Sequence, residues 1–397
     1  MSNIGMVLES NFPHDNRVEK EARALISAGH KVFLLVGNKR DDQKEEEEIK
    51  GIFVRRISQK NLWKQKINYA RFLLTLYDDF FARQMSRFID DFEIKLLHVN
   101  DLLLVGTALP VCRACRIPIV ADLHEADYPA LVEIYGHKII KEKIFLNARR
   151  WEKYEKKWLQ DVDKILVVVE EAQKMLETKG IDGSKIHVVS NTEEIDYFKN
   201  FKFNQEILTG YRDCFAVSYV GGFGPHRGLD TIIKSAKYLK GEIKNIKLLL
   251  VGGGHDKVFD LQLKDLSKQE GAEDLVEFCG WHNFNNYLTF IKASRICLVP
   301  YHRSGHTDTT VPHKLFQYMI MKKPIIASSC APLIRIVNET GCGLVFQAGS
   351  ARDLADRILA IYRDSDNYGK NGRKAVEEKY NWEVDGRSLV RLYNSLL

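Results

Sequence analysis

Residues 215–230 read FAVSYVGGFGPHRGLD, and this stretch decides the fold. The apolar run Phe215–Val220 has the length of a buried strand, and a helical pattern begins just after Gly228. The glycines between them let the backbone approach a ligand closely, and a helix start offers unpaired N–H groups to a phosphate. Arg227 adds a planar guanidinium that can bind phosphate oxygens in pairs. Such turns occur in many folds, so this one indicates a parallel α/β sheet without identifying a family.

The next predicted strand ends in the same way, with Val251-Gly252-Gly253-Gly254. A tight turn alone would explain either glycine cluster. Two clusters at neighbouring strand ends favour a ligand site, because ligands of open parallel sheets bind at the carboxyl ends of the strands.

Strand and helix patterns alternate along the whole chain, which is typical of parallel sheets covered by helices. With 397 residues the chain is too long for one ordinary core, and the pattern divides into two similar halves. We therefore predict an α/β fold of two Rossmann-like, doubly wound domains that face a central cleft. The weakly patterned residues 199–212 indicate the linker, and we divide the chain into residues 1–203 and 204–379.

Three segments of the first half carry further predictions. Residues 62–89 are predicted as one long amphipathic helical stretch, and the acidic run 41–48 as a solvated loop. Residues 138–157 interleave basic and apolar side chains, which fits a helix at a membrane surface or a solvated amphipathic face. Glutamates that dilute the positive charge favour the solvated face.

Composition narrows the class of protein. Apolar content of 45% and charged content of 28% are typical of a globular chain. The net charge of +6 lies wholly in residues 201–397, where it favours an anionic ligand, and no dense basic stripe indicates nucleic acid. No secretory signal, membrane-spanning run or disulfide spacing is predicted. We expect a cytoplasmic protein, with the inner face of the membrane as a second location.

The segment TTVPHKLFQYM, residues 309–319, is the most informative of the second half. Pro312 suits the first position of a helix, and Thr310 can cap that helix. Lys314 then falls in the first turn, at the positive end of the helix dipole. Gln317 lies one turn further on, within reach of a ribose hydroxyl. Considered alone, Lys314 is more often a surface lysine than a ligand-binding one.

Together with NETGCGLVF (338–346), the run VPHKLFQYMIMKKPIIAS (311–328) resembles the donor-site signature of retaining GT-B glycosyltransferases of the family 4 type. Other segments that resemble this family follow in matching order: FPHDNRVEKEARALISAGHKV (12–32), ADLHEA (121–126), VGGFGPHRGLD (220–230), LLLVGGG (248–254) and VEFCGW (276–281). The resemblance covers nearly the whole chain. It implies sugar transfer from a nucleotide-diphosphate sugar with retention, and a C-terminal helix, residues 380–397, that packs back on the first domain.

The resemblance also implies roles for individual residues. His124 stands where the family has a histidine that contacts the transferred sugar, although sequence alone allows a structural histidine. Arg227 and Lys314 are expected at the donor diphosphate, and these three are the predicted catalytic residues. The expected donor-binding residues are Gly222, Phe223, Gly253, Cys279, Trp281, Asp308, Thr309, Thr310, Val311 and Gln317. The expected acceptor-side residues are Asp15, Asn16, Arg17 and Glu125.

Two departures from the family pattern concern the donor site. The family usually has two glutamates eight positions apart, and this chain has Thr309 and Gln317 there. A glutamine can still bond to a ribose hydroxyl, whereas a threonine cannot supply a carboxylate, and Asp308 is the nearest substitute. Gly222 stands where an arginine is common. We interpret both departures as variation within the family.

No metal site and no cofactor are predicted. The Asp-x-Asp run at residues 161–163 precedes a buried strand and lacks clustered ligands, so we interpret it as structural. Cations and helix N–H groups would stabilise the leaving diphosphate instead. A UDP-sugar is favoured over a GDP-sugar as donor. The acceptor, a glycan, a lipid-linked glycan or another hydroxyl compound, stays open, as does contact with a membrane.

Two other functions remain as alternatives. A non-catalytic glycosyltransferase-like subunit that binds a nucleotide or a partner is favoured by Thr309 and Gln317 and opposed by His124, Arg227 and Lys314. A sugar-nucleotide epimerase would use the same architecture. Such enzymes need several acidic and basic residues in the cleft, and the paired carboxylates are missing here.

Overall fold

The structure is a computed structural model that describes residues 1–13, 15–37, 43–57, 62–124, 148–199, 201–254, 256–364 and 367–397. The chain forms two compact units: Met1–Ser190 with Glu383–Leu397, and Asn191–Trp382. Residues 191–203, which the sequence pattern places in the first domain, thus lie in the second unit. The chain returns to the first unit within its last helix, Trp382–Asn394.

One sheet forms the centre of the first unit. Its strands are β1 Asn3–Leu8, β2 Lys31–Val36, β3 Glu46–Ile49, β4 Ile52–Arg56, β5 Leu96–Asn100, β6 Ile119–Leu123, β7 Lys164–Val167 and β8 Ile186–Val188. Their order across the sheet is β3-β4-β2-β1-β5-β6-β7-β8, and only the β3–β4 pair among these is antiparallel. The strands β5 and β6 are buried along their whole length, as expected for parallel strands covered on both faces.

Helices of the first unit cover this sheet. They are α1 Asn16–Ser27, α2 Leu62–Thr75, α3 Asp79–Asp91, α4 Val105–Cys115, α5 Ala148–Asp161 and α6 Glu170–Thr178. In α3 the apolar side chains of Phe81, Met85 and Phe88 recur at helical spacing and form the buried face. The Asp78 carboxylate begins this helix by accepting the N–H group of Phe80 at 2.8 Å.

The second unit has an all-parallel sheet of six strands. They are β9 Phe215–Val220, β10 Ile246–Val251, β11 Val276–Gly280, β12 Ile296–Val299, β13 Ile325–Ser328 and β14 Gly343–Phe346. The order β11-β10-β9-β12-β13-β14 reverses direction between β9 and β12. The crevice at such a reversal, outside the carboxyl ends of the strands, is where ligands of this architecture bind.

Helices again connect the strands of the second unit. They are α7 Gln205–Gly210, α8 Leu229–Leu239, α9 Lys257–Gln269, α10 Phe284–Ala293, α11 His313–Ile320, α12 Ala331–Thr340, α13 Ala351–Arg363 and α14 Tyr368–Glu378. The two sheets with their helices confirm the predicted α/β fold of two Rossmann-like domains.

The prediction of one helical stretch over residues 62–89 is wrong. The helix α2 ends at Thr75, and Leu76 adopts a left-handed conformation with φ of 53°. Helical hydrogen bonding does not continue through a left-handed residue. The apolar periodicity of the two helices conceals this break, because Leu76 is itself apolar and buried.

The acidic run 41–48 is also not wholly a loop. Its residues from Glu46 onward form β3, an edge strand, and the guanidinium of Arg55 on β4 bonds to the Glu46 carboxylate at 2.7 Å. Opposite charges across the strand pair stabilise a segment that composition alone describes as solvated.

Two predictions from composition concern the state of the cysteines and the presence of membrane-spanning helices. All seven cysteines are free thiols. No helix within the described ranges combines the length and apolar character that crossing a bilayer requires.

Candidate active site

Two glycine turns lie side by side in the second unit, at the carboxyl ends of β9 and β10. Gly221 and Gly252 have φ angles of 138° and 140°, a region that side chains with a Cβ rarely adopt. A Cβ at Gly252 would stand 2.0 Å from the carbonyl oxygen of Gly221. The N–H group of Phe223 donates to the carbonyl of Gly253 at 3.1 Å. The turns are thus bonded to each other and need glycine to come this close.

Lys314, the second residue of α11, reaches the first of these turns. Its Nζ atom is buried and has no hydrogen-bond partner among the described residues. Nζ lies 3.7 Å from the ring centroid of Tyr219, and a Cβ on Gly221 would stand 2.6 Å from it. Burial, followed by the charge of Arg227, holds the pKa of Lys314 well below its usual value. An anion at the glycine turn would supply the acceptor that this ammonium lacks.

Arg227 closes the loop that follows the first glycine turn. Its guanidinium donates to the hydroxyl of Tyr301 and lies 5.1 Å from that ring's centroid. The Nζ of Lys314 is 5.6 Å from the same centroid. Burial, with Arg227 adding to it, lowers the pKa of the adjacent His226 to about 3, so this imidazole is neutral. The two predicted phosphate-binding cations therefore converge on one aromatic side chain.

The start of α11 differs from the sequence prediction. Pro312 is the residue before the helix, with φ of −79° and ψ of 141°, and the first helical residue is His313. Neither Thr310 nor another side chain caps this end. The extended ψ of Pro312 is what shifts the helix start by one residue. The positive end of the helix dipole is consequently not neutralised by a capping side chain.

Thr309 and Asp308 are engaged in local structure. The Thr309 hydroxyl donates to the carbonyl of Gly305 at 2.8 Å. The Asp308 carboxylate accepts the N–H group of Ala331, at the start of α12, at 2.9 Å, and the Nε of Arg303 at 2.8 Å. Asp308 therefore stabilises the start of α12, and its carboxylate is less available to bind a sugar.

Glu193 is a residue of this region that the sequence did not identify. Its Oε1 accepts the side-chain amide of Gln317 at 2.8 Å and lies 3.4 Å from the Nδ1 of His313. The neighbouring Asn191 donates to the carbonyl of Val311 at 3.1 Å. A carboxylate from a distant part of the chain thus adjoins Gln317, where the family usually has its own glutamate. No local sequence signal predicts a contact across this separation.

The predicted donor-binding residues Cys279 and Trp281 adjoin the second glycine turn. The N–H group of Gly252 donates to the carbonyl of Gly280 at 2.8 Å. The carbonyl of Cys279 bonds to the Nε2 of His282 at 2.9 Å, and the Trp281 ring is exposed. An exposed aromatic ring beside a glycine turn can stack on a planar base.

In the first unit, His124 follows β6 and belongs to a charged cluster. Its Nε2 bonds to the Asp122 carboxylate at 2.8 Å, and the Arg17 guanidinium binds the same carboxylate at 2.7 and 3.0 Å. Burial opposes a charge on His124, but Asp101 and Asp122 outweigh it and raise the pKa of His124 to about 10. At neutral pH His124 is therefore an imidazolium, a hydrogen-bond donor rather than a general base.

Three buried side chains beside this cluster could in principle hold a metal ion: Glu21, His98 and Asp122. The Nη2 of Arg17 lies 3.0 Å from Glu21 and 2.7 Å from Asp122, so a guanidinium already holds the position of a cation between the carboxylates. Burial raises the pKa of Glu21 to about 8, which keeps its carboxyl protonated at neutral pH. The donor set is arranged around Arg17 and does not fit a metal.

His98 connects the cluster to the C-terminal helix. Asn100 donates through its amide nitrogen to the carbonyl of Val7 at 2.9 Å, which directs its oxygen to the Nε2 of His98 at 3.1 Å. That nitrogen therefore carries the proton, and the Nδ1 of His98 accepts the hydroxyl of Tyr393. Burial lowers the pKa of His98 to about 4, which agrees with a neutral ring.

Three of the four predicted acceptor-side residues lie at the start of α1. Asp15 caps α1 by accepting the N–H group of Arg17 at 3.0 Å, and Asn16 is the first helical residue. The Arg17 side chain is buried and paired with Asp122, so it is not exposed to an acceptor. Glu125 lies outside the described residues, as do residues 138–147 of the basic stretch.

Comparison with known proteins identifies the fold and the class of enzyme. Residues 16–193 match the family model described as Glycosyltransferase Family 4, and residues 202–377 match Glycosyl transferases group 1. The fold is similar to that of Anabaena HepE in complex with UDP, with a TM-score of 0.77, 13% identity and 100% of each chain covered. The chain is a GT-B glycosyltransferase.

Two curated glycosyltransferases are similar to it in sequence. An uncharacterized glycosyltransferase of Methanocaldococcus jannaschii is 24% identical over 388 residues, which cover 94% of this chain and 91% of that one. The capsular polysaccharide biosynthesis glycosyltransferase CapM of Staphylococcus aureus is 24% identical over 221 residues, covering 52% of this chain and 54% of CapM. The match to CapM thus spans about half of either protein.

In this glycosyltransferase the sequence identified candidate site residues such as His124 and Lys314. It did not identify the side chains that contact them and fix their positions. The contacts of Arg17 with Glu21 and with Asp122 were not predicted. A signal was present, because Arg17 and Glu21 are four residues apart on the same face as Val18 and Leu25. Ionisable residues four positions apart on an otherwise apolar helix face indicate that their side chains contact each other in the interior.

Proposed function

We propose that this glycosyltransferase transfers a sugar from a nucleoside-diphosphate sugar to a hydroxyl group of a glycan, a glycolipid or another acceptor. A UDP-sugar is the first candidate donor and a GDP-sugar the second, and transfer proceeds with retention and without a metal or cofactor. The observation that carries the proposal is the buried amino group of Lys314, which lacks a hydrogen-bond partner among the described residues and faces the glycine turn at Gly221.

Two comparisons support the choice of donor and acceptor. HepE, which shares the fold, has been crystallised with UDP and with UDP-glucose. The partial match to CapM supports an acceptor in polysaccharide biosynthesis.

The proposed chemistry follows from the charges in each unit. The anomeric carbon exchanges its bond to the diphosphate oxygen for a bond to the acceptor's hydroxyl oxygen. The electron pair of the broken bond stays on the diphosphate, which takes up the proton of the hydroxyl, and Lys314, Arg227 and the start of α11 stabilise the charge that develops there. These groups are fixed before the reaction, so little reorganisation is needed in the transition state. The family resemblance assigns His124 a contact with the transferred sugar, and an imidazolium can make such a contact as a hydrogen-bond donor.

Calorimetric titration with UDP, UDP-sugars and GDP-sugars in the presence of a chelator tests the proposal. We expect a uridine compound to bind, and Lys314→Met and Arg227→Ala each to weaken binding at least tenfold, since each removes a charge-assisted hydrogen bond. The matched control is Lys247→Met, at the opposite end of β10, where an exposed lysine donates to the carbonyl of Asp274. Equal affinity in all four proteins, or no binding to any nucleotide, would contradict the proposal and favour a non-catalytic role.

A further inference from the structure

The carboxylate of Glu193 lies against one face of α11. Its Oε1 accepts the side-chain amide of Gln317 at 2.8 Å and lies 3.4 Å from the Nδ1 of His313. His313 and Gln317 are four residues apart and share that face, and Lys314, three residues before Gln317, borders it. A carboxylate from outside the helix thus contacts the side chain next to the lysine of the first glycine turn.

Backbone contacts fix the position of Glu193. Its carbonyl accepts the N–H group of Trp382 at 3.1 Å, and its main chain pairs with that of Asn381. Two residues earlier, the side chain of Asn191 donates to the carbonyl of Val311, just before α11, at 3.1 Å. The Glu193 side chain is 13% exposed. Its carboxylate is therefore held against α11 and is not a mobile surface group.

This contact determines how the side-chain amide of Gln317 is oriented. A carboxylate only accepts hydrogen bonds, so the amide nitrogen of Gln317 must face Glu193. The amide oxygen, Oε1, then points away from Glu193, and it has no hydrogen-bond partner among the described residues. The negative charge behind the amide also polarises it, because hydrogen bonds in series strengthen one another. Gln317 thus presents a strengthened acceptor in a fixed orientation.

We propose that Glu193 is a positioning residue that orients Gln317 to accept a hydrogen bond from a ribose hydroxyl of the donor. Gln317 lies about one helical turn beyond Lys314, and ribose follows the diphosphate in a nucleotide. The negative charge that the family usually has at position 317 is supplied here from Glu193, through the amide. The inference rests on the proposed function and deepens it, because it makes Glu193 a determinant of the selection of ribose over deoxyribose.

Calorimetric titration with UDP, 2′-deoxy-UDP and 3′-deoxy-UDP measures this selection. We expect the wild type to bind at least one deoxy compound about fivefold more weakly than UDP, the effect of one hydrogen bond. Glu193→Ala should lower that ratio below about twofold and leave the affinity for the same deoxy compound unchanged. The double variant Glu193→Gln, Gln317→Glu exchanges the two groups and keeps a hydrogen bond between them, so it should restore the ratio. A chain that binds GDP instead of UDP is titrated with the corresponding guanosine compounds.

A double-mutant cycle distinguishes positioning from a purely structural role. In a Gln317→Ala background, Glu193→Ala should change the ratio no further, because Glu193 acts through Gln317. Glu273, an exposed glutamate between α9 and β11, provides the matched control, and Glu273→Ala should leave both the affinities and the ratio unchanged. Thermal unfolding of every variant measures any loss of stability separately.

The outcomes separate this inference from the proposed function. Binding of UDP with the same ratio in Glu193→Ala, no recovery in the exchanged pair, or additive losses in the cycle would overturn the inference and leave the proposed function standing. Equal affinity of the wild type for the ribose compound and both deoxy compounds would do the same. Binding of no nucleotide at all would contradict the proposed function and the inference together.

Discussion

Replacement of Lys314 by methionine should stabilise the free protein and weaken donor binding. Methionine keeps most of the length and apolar volume of the lysine and removes the ammonium group. That amino group is buried without a hydrogen-bond partner among the described residues, and it lies 3.7 Å from the ring centroid of Tyr219. The lysine is thus placed for a bound anion and not for the stability of the free chain.

The size of both effects follows from these contacts. A buried, unsatisfied polar group costs about 1–3 kcal/mol, and the contact with the Tyr219 ring offsets part of this, up to about 2 kcal/mol. We therefore expect Lys314→Met to raise the free energy of unfolding by about 1 kcal/mol, or roughly 2–4 °C for a unit of this size. Loss of a charged hydrogen bond to phosphate, about 1.5–3 kcal/mol, should raise the Kd for UDP about 10- to 150-fold.

Proton uptake gives this prediction a second readout. The pKa of Lys314 is lowered in the folded chain, so the folded chain holds less of this proton than the unfolded chain between the lowered value and the usual 10.5. A bound diphosphate raises that pKa again, and binding should therefore take up protons. Calorimetry of UDP binding in buffers of different ionisation enthalpy measures the uptake, and Lys314→Met should abolish it.

Differential scanning calorimetry and UDP titration of the same preparations provide the comparison. Lys247→Met serves as the control and should change neither quantity appreciably. A variant at Lys314 that is less stable than the wild type and binds UDP equally well would refute the reasoning, because the lysine would then be a structural residue.

Three further predictions concern the first glycine turn and the charged cluster around His124. Gly222→Arg should tighten UDP binding severalfold, as measured by calorimetry. A Cβ at Gly222 would meet no atom within 4 Å, and the new guanidinium would adjoin the glycine turn. Weaker binding would show that the turn needs this glycine. In urea unfolding, His124→Gln should destabilise the chain by roughly 2 kcal/mol or more at pH 6 and by much less at pH 10. The raised pKa of His124 contributes stability that is lost as the pH rises from about 6.5 towards 10. A loss of stability that is the same at both pH values would contradict the pairing of His124 with Asp122. Tyr393→Phe should cost about 1–3 kcal/mol in the same assay, because the Nδ1 of the buried His98 loses its hydrogen-bond donor; an unchanged stability would show that this contact is weak.

The donor-side turns could be predicted from sequence because their determinants are local. A glycine at the end of an apolar run is visible in the sequence, and the positive φ angles of Gly221 and Gly252 explain why glycine is required. The position of Lys314 follows from its place in the first turn of a helix. The exact start of that helix was wrong by one residue, because the ψ angle of Pro312 depends on the loop before it.

The supporting contacts could not be predicted, because they join residues far apart in the chain. Gln317 bonds to Glu193 over 124 positions, and Arg17 bonds to Asp122 over 105 positions. Burial then alters the chemistry of these groups in ways that composition does not reveal. The pKa of about 8 for Glu21 depends on burial inside a folded cluster, as does the neutral ring of His98.

The most direct test of the central claim is nucleotide release from a panel of UDP- and GDP-sugars, measured with chelator present and with glycan or lipid-linked acceptors added. The account predicts release from a uridine donor that resists the chelator, rises with a suitable acceptor and falls at least tenfold in Lys314→Met. Release that requires a divalent metal, or that is unchanged in Lys314→Met, would contradict it.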